Sequence, residues 1–164
     1  LAKQTLPEGL RVNFYEADLL DEKWVNAAPR QQYDGVFCFA AMHHLPGHHN
    51  HVNLVKAVRT LLPIGGTFIH SNWQFQNSPK LMARVQPWSV VGIKDEDVEP
   101  GDTLLDWRFA LPDQEEEIGY RYVHLFSEDE LKDLAAENDF EVMETFYSDG
   151  TGGRLGLYQV WRAK

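Results

Sequence analysis

The chain is predicted to fold as an α/β domain with a parallel centre and an antiparallel hairpin at its C-terminal end. The segment "YDGVFCFAA" is apolar on both faces from Val36 to Ala41, as a central parallel strand covered on both sides would be. Leu54, Val55, Val58, Leu61 and Leu62 recur at helical spacing, Pro63 and Gly65-Gly66 close the helix, and "GTFIHSNWQF" follows as a strand. Strand, helix, turn and strand make a right-handed βαβ unit. "EVMETFYS" and "LGLYQVWRA" are two more strands, joined by the turn "DGTGG".

The remaining elements follow in chain order. In "RVNFYEA", residues 11 to 17, Val12 and Phe14 alternate with Arg11 and Asn13, which reads as a strand. Asp18 comes directly after it, then a polar stretch broken at Pro29. From Gln76 to Gly119 the pattern loosens, and the acidic clusters "KDEDVE" and "DQEEE" read as solvated loops. Ser127 and Glu130 have capping-box spacing, and Phe126 with Leu131 has staple spacing, so a helix starts there.

The chain of 164 residues is long enough for one domain with a real core. Its net charge of −10 makes it, alone, a poor partner for a phosphate backbone. The single cysteine, Cys38, has no partner for an internal disulfide, which suits a reducing compartment. The longest apolar run is too short to span a bilayer, and no basic-then-apolar leader opens the sequence, so a cytoplasmic location is expected.

Sheets of this kind bind ligands beyond the carboxyl ends of their parallel strands. Asp18, the stretch Phe39 to His44, and Ser71 to Trp73 fall at or near such ends. Five histidines lie between His43 and His51. A zinc site needs about four well-placed ligands, usually with cysteine or carboxylate help. His48, His49 and His51 have no cysteine nearby and are read as solvent-facing residues where a loop becomes a helix. No metal is expected. His43 and His44 follow a buried strand within one turn; one of them either borders the ligand crevice or packs against the next helix. The sequence singles out no catalytic base.

The run "YEADLLDEKW…YDGVFCFAAMHHLPG…VNLVKAVRTLLPIGGTFIHSNW" resembles the second half of a class I S-adenosylmethionine-dependent methyltransferase. The resemblance implies a Rossmann-like sheet of strand order 3-2-1-4-5-7-6, with S-adenosylmethionine as cofactor. It implies that Asp18 and Leu19 contact the adenine and that Phe39, Ala40 and Ala41 touch the methionine part. His44, in the "HHL" frequent after that strand, joins the cofactor-binding set. The Gly-rich loop and helix that open this family are not among these residues; "DGTGG" precedes no helix. The first two βα units, each on the order of 30 residues, are therefore expected to be missing. A missing N-terminal segment or a partner chain is expected to complete the sheet, leaving half a cofactor pocket here.

Residues 1–164 are expected to be a single domain, the C-terminal part of a methyltransferase domain, with 76–124 as a substrate-side insert. Within it, "GDTLLDWR…GYRYVHLFSEDEL" resembles the insert of transfer-RNA methyltransferases that esterify 5-carboxymethyluridine at the wobble position. That resemblance implies that Arg108, Tyr120, Arg121, Tyr122 and His124 face the substrate. An alternative is a strand entering the capped helix, with Tyr120, Tyr122 and His124 alternating on one face. The expected function is methyl transfer to a small molecule or to the wobble carboxylate of a tRNA. A non-catalytic methyltransferase-like subunit or binding module is the alternative.

Overall fold

A computed structural model describes residues 9, 11–21, 23–28, 32–109 and 117–164. Its main sheet has the order β1-β2-β7-β6, formed by Gly35–Phe39, Thr67–Trp73, Gly156–Ala163 and Phe140–Ser148. β1 and β2 are parallel, with Phe37 opposite Ile69, whereas β7 runs antiparallel to both β2 and β6. This is the 4-5-7-6 portion of the order the resemblance implies. Helix α1, His48–Leu61, makes the crossover between β1 and β2.

One face of the sheet carries the core. Phe68, Trp161, Leu157 and Phe140 are at most 1% exposed and pack against Leu54, Val55 and Val58 of α1. Leu131, Leu134 and Ala135 of α3, Glu128–Glu137, complete the layer. Burying each of the valine, leucine and phenylalanine side chains contributes roughly 1.5–3 kcal/mol. The helix start is as expected: Ser127 and Glu130 form both hydrogen bonds of a capping box, and Phe126 and Leu131 are buried in the same cluster. The opposite face carries an aromatic row in which Phe39 lies 5.8 Å from Phe37 and 6.2 Å from Tyr158, with Tyr158 stacked 5.1 Å from Phe146.

Two expectations change. β1 is an edge strand of the described sheet, and it is covered on one side only. Val36 and Cys38 pack on the core while Phe37 and Phe39 are 64% and 53% exposed. Residues 11–17 form no strand. An extended segment becomes a strand only when its N–H and C=O groups find a ladder partner, and alternation alone supplies none.

A second, three-stranded antiparallel sheet, β3-β4-β5, is built from Val85–Gln86, Asp102–Phe109 and Glu117–His124. A short helix, α2, Pro79–Met82, leads into it, capped by the Ser78 side chain. Leu105 and Val123 of this sheet bury against Phe75, just past the end of β2. The acidic cluster at 94–99 is exposed apart from half-buried Val98, and most of "DQEEE" lies outside the described residues.

Candidate active site

The chain turns sharply where β1 ends. Ala40 has φ 50°, a left-handed conformation that costs a non-glycine residue about 1 kcal/mol. The turn is held by Ser71 on the neighbouring parallel strand, whose Oγ and carbonyl accept from the Ala40 N–H at 3.1 and 3.2 Å. Strain fixed by such an anchor is characteristic of functional turns. Ala41 then accepts from the His44 N–H at 2.9 Å, closing a 3-10 turn over Met42–His44. Asp18 is exposed in a turn of its own, its Oδ1 accepting from the Leu20 N–H at 3.0 Å, and half-buried Leu19 packs on the main core.

His43 and His44 diverge. His43 is fully buried; its Nδ1 accepts from the Trp73 N–H at 3.3 Å and its ring stacks on Trp73 at 5.5 Å. Burial pushes its pKa down to about 3, helped by the neighbouring His44, so it stays neutral. His44 donates from Nδ1 to the Tyr122 carbonyl at 3.0 Å, which ties the turn after β1 to the second sheet. His51 is not a solvent-facing residue: it is wholly buried on α1, because the helix turns it inward, whereas His48 and His49 are exposed. His70 is also buried, beside Trp161 at 4.5 Å, and burial pushes its pKa down to about 3.

The expected substrate-side residues fall on two faces of the second sheet. Arg121 is opposite Leu105, and its guanidinium lies 5.4 Å from the Trp73 ring and 4.6 Å from the Trp107 ring. The cavity these groups border is about 30 Å³, room for one water molecule. Arg108 is bonded at 3.0 Å to the buried carboxylate of Asp106, and Tyr120 is exposed. Arg108 and Tyr120 lie with Tyr122 and His124 on the other face, the alternation expected of Tyr120, Tyr122 and His124. Tyr122 donates its hydroxyl to Asp102 at 2.5 Å, and burial together with that carboxylate raises its pKa.

His124 is 2% exposed and holds two carboxylates: Nδ1 is 2.8 Å from Asp102 and Nε2 is 2.8 Å from Glu130. Burial opposes its charge, but the bonds to Glu130 and Asp102 outweigh that and raise its pKa. Gly101, at φ 96°, lets the backbone cross this ring, because a Cβ there would sit 3.0 Å from His124 Cε1. His124 is therefore a packed ionic joint and presents no ring nitrogen to a substrate. A cavity of about 290 Å³ opens on the Trp88–Tyr122 side, walled by Gly47 and the carboxylates Asp97, Glu99 and Asp102. Asp102 and Asp106 escaped the sequence reading because one looks like a turn residue after Pro100-Gly101 and the other like half of an Asp-Trp motif.

This fold has counterparts among solved structures. An S-adenosylmethionine-dependent methyltransferase from Clostridium acetobutylicum superposes over 95% of this chain and 66% of its own length, with TM-score 0.68 and 13% identity. The fold is that of a class I S-adenosylmethionine-dependent methyltransferase. A Methanosarcina mazei methyltransferase matches over 83% of this chain and 63% of its own, with TM-score 0.56 and 18% identity. The 1,6-didemethyltoxoflavin-N1-methyltransferase of Burkholderia thailandensis, solved with S-adenosylhomocysteine, matches over 85% and 48%, with TM-score 0.53 and 14% identity. This chain thus spans two thirds or less of the methyltransferases it resembles. No protein-family model and no curated protein matches it.

Proposed function

We propose that the protein contributes the acceptor side, and part of the cofactor side, of a methyltransferase that transfers the methyl group of S-adenosylmethionine to a small molecule. One observation carries this reading: the strained Ala40 turn, anchored by Ser71 at the carboxyl ends of two adjacent parallel strands and roofed by a second sheet. That is where open α/β sheets take their ligands. Phe39, Ala40, Ala41 and His44 would border the methionine part of the cofactor, and Asp18 with Leu19 the adenine. Transfer from a sulfonium is an in-line displacement that needs mainly alignment and exclusion of water. The second sheet supplies that cover.

The acceptor enters, on this reading, through the cavity beside Tyr122. Trp88 and Tyr122 offer aromatic faces, and Asp97, Glu99 and Asp102 surround them with negative charge. Such a wall favours an amine-bearing acceptor and repels a carboxylate. The wobble-carboxylate alternative would need Arg121, which is stacked between two tryptophans beside a cavity too small for a nucleobase.

Calorimetric titration of S-adenosylhomocysteine tests the cofactor part. Saturable binding is expected, weakened about tenfold by Asp18→Ala, as for one lost hydrogen bond to a charged group, and also by Ala40→Val, which distorts the turn. Binding unaffected by both variants would move the cofactor elsewhere. No binding by this chain alone would fit both half a pocket and the non-catalytic module, and the same titration with the first two βα units supplied would separate the two.

A further inference from the structure

We propose that His48, His51 and Glu130 form a divalent-metal site, suited to Zn²⁺ with water in the fourth position, that clamps the first turn of α1 to the first turn of α3. One ligand atom from each of the three lies within 4.8 Å of the others. Ligands on tetrahedral zinc stand about 3.4 Å apart, from bond lengths of about 2.1 Å. His48 is exposed, so its ring has room to turn toward the other two. His48 and His51 are three positions apart on a helix and so share a face. His49 lies off that face and pairs with Asn53 at 2.9 Å.

His51 points to a ligand most directly. It is fully buried, its Nε2–H donates to the Leu45 carbonyl at 2.7 Å, and its Nδ1 has no hydrogen-bond partner. A buried imidazole with one N–H held by a backbone carbonyl and a bare lone pair on the other side is the arrangement metal-binding histidines adopt. Glu130 gives Oε1 to His124 at 2.8 Å and accepts the Ser127 N–H on Oε2 at 3.4 Å, and the second lone pair of Oε2 remains for a cation.

The local charge suits a cation. The carboxylates of Asp102 and Glu130 both lie 2.8 Å from His124, beside the site. Glu137 stands 4.0 Å from His48 Nε2, and Glu99 accepts from the His48 N–H at 2.9 Å. The sequence places no cysteine near these histidines to help hold a metal. The fold removes that objection by bringing Glu130 in from α3.

The test is titration of ZnCl₂ into the untagged protein, stripped with chelator beforehand, read by calorimetry and by metal content after dialysis. One equivalent is expected, with affinity reduced at least tenfold in His48→Gln and in Glu130→Gln and unchanged within about twofold in His49→Gln. His48 and His49 are both exposed, so those variants keep the fold. Zinc should also raise the melting temperature of the parent protein and not that of His48→Gln. Failure to bind one equivalent, or equal losses in His48→Gln and His49→Gln, would overturn the site. The second result would leave only adventitious surface imidazole. S-adenosylhomocysteine binding is scored separately, because no cofactor-side residue is altered.

Discussion

Three of the buried histidines are held neutral and one is held charged, and the two kinds respond to pH in opposite directions. His43, His51 and His70 have folded pKa values of about 3, 4 and 3, well below the unfolded value near 6.5. Below pH 6.5 the unfolded chain takes up protons that these folded rings refuse, so each removes about 1.4 kcal/mol of stability per pH unit. His124 behaves in reverse: its raised pKa adds stability that is complete below 6.5 and fades as pH rises through the folded value. Asp102 and Glu130, held low mainly by their bonds to His124 against the opposing effect of burial, lose their contribution only at lower pH still. Stability should therefore peak near neutrality and fall steeply between pH 6.5 and about 4.5. Urea unfolding across that range should give a slope approaching 4 kcal/mol per pH unit, cut by about a third in His70→Phe. A flat profile would mean these rings are hydrated in the native state.

At the scale of elements, the joint around α3 is the most sharply specified part of the molecule. Ser127 Oγ accepts from the Glu130 N–H at 3.1 Å, and the Glu130 side chain reaches back to the Ser127 N–H. The same carboxylate holds His124, so the cap and the second sheet are joined through one side chain. Ser127→Ala should cost about 1 kcal/mol in urea denaturation. A loss of several kcal/mol would show that the His124 pairing collapses with the cap. This element was legible because its signals lie within a few residues of each other. Helix α1 and the C-terminal hairpin were legible for the same reason, through periodicity, a Pro/Gly stop and a Gly-rich turn. The strand expected at 11–17 was not, since pairing depends on a partner elsewhere in the chain. The single-sided cover of β1 and the burial of His51 are likewise decided by packing between distant segments. At the site, the Ala40 turn and His44 were legible as a strand end. The pairing of His124 with Asp102 and the approach of Glu130 to His48 and His51 depend on how α1, α3 and the second sheet meet.

At the scale of the whole molecule, charge separates the two acceptor classes. Twenty-five acidic residues face fifteen basic ones, a net −10, and carboxylates wall the cavity beside Tyr122. RNA affinity rests on neutralising phosphates with lysine and arginine, and nonspecific binding at physiological salt gives dissociation constants of about 10⁻⁴–10⁻⁶ M even for proteins built for it. An acidic chain should bind more weakly than that. Of the two arginines expected on the substrate side, Arg108 bonds the Asp106 carboxylate and Arg121 sits between indole rings. Fluorescence anisotropy of labelled tRNA at physiological salt should therefore show no saturation at micromolar protein, and lowering the salt should improve it little. Saturable binding that weakens in Arg121→Ala while S-adenosylhomocysteine binding is unchanged would reverse the assignment. It would mean that Arg121 leaves its tryptophan clamp to meet an acceptor carboxylate, and that the second sheet opens to admit a base.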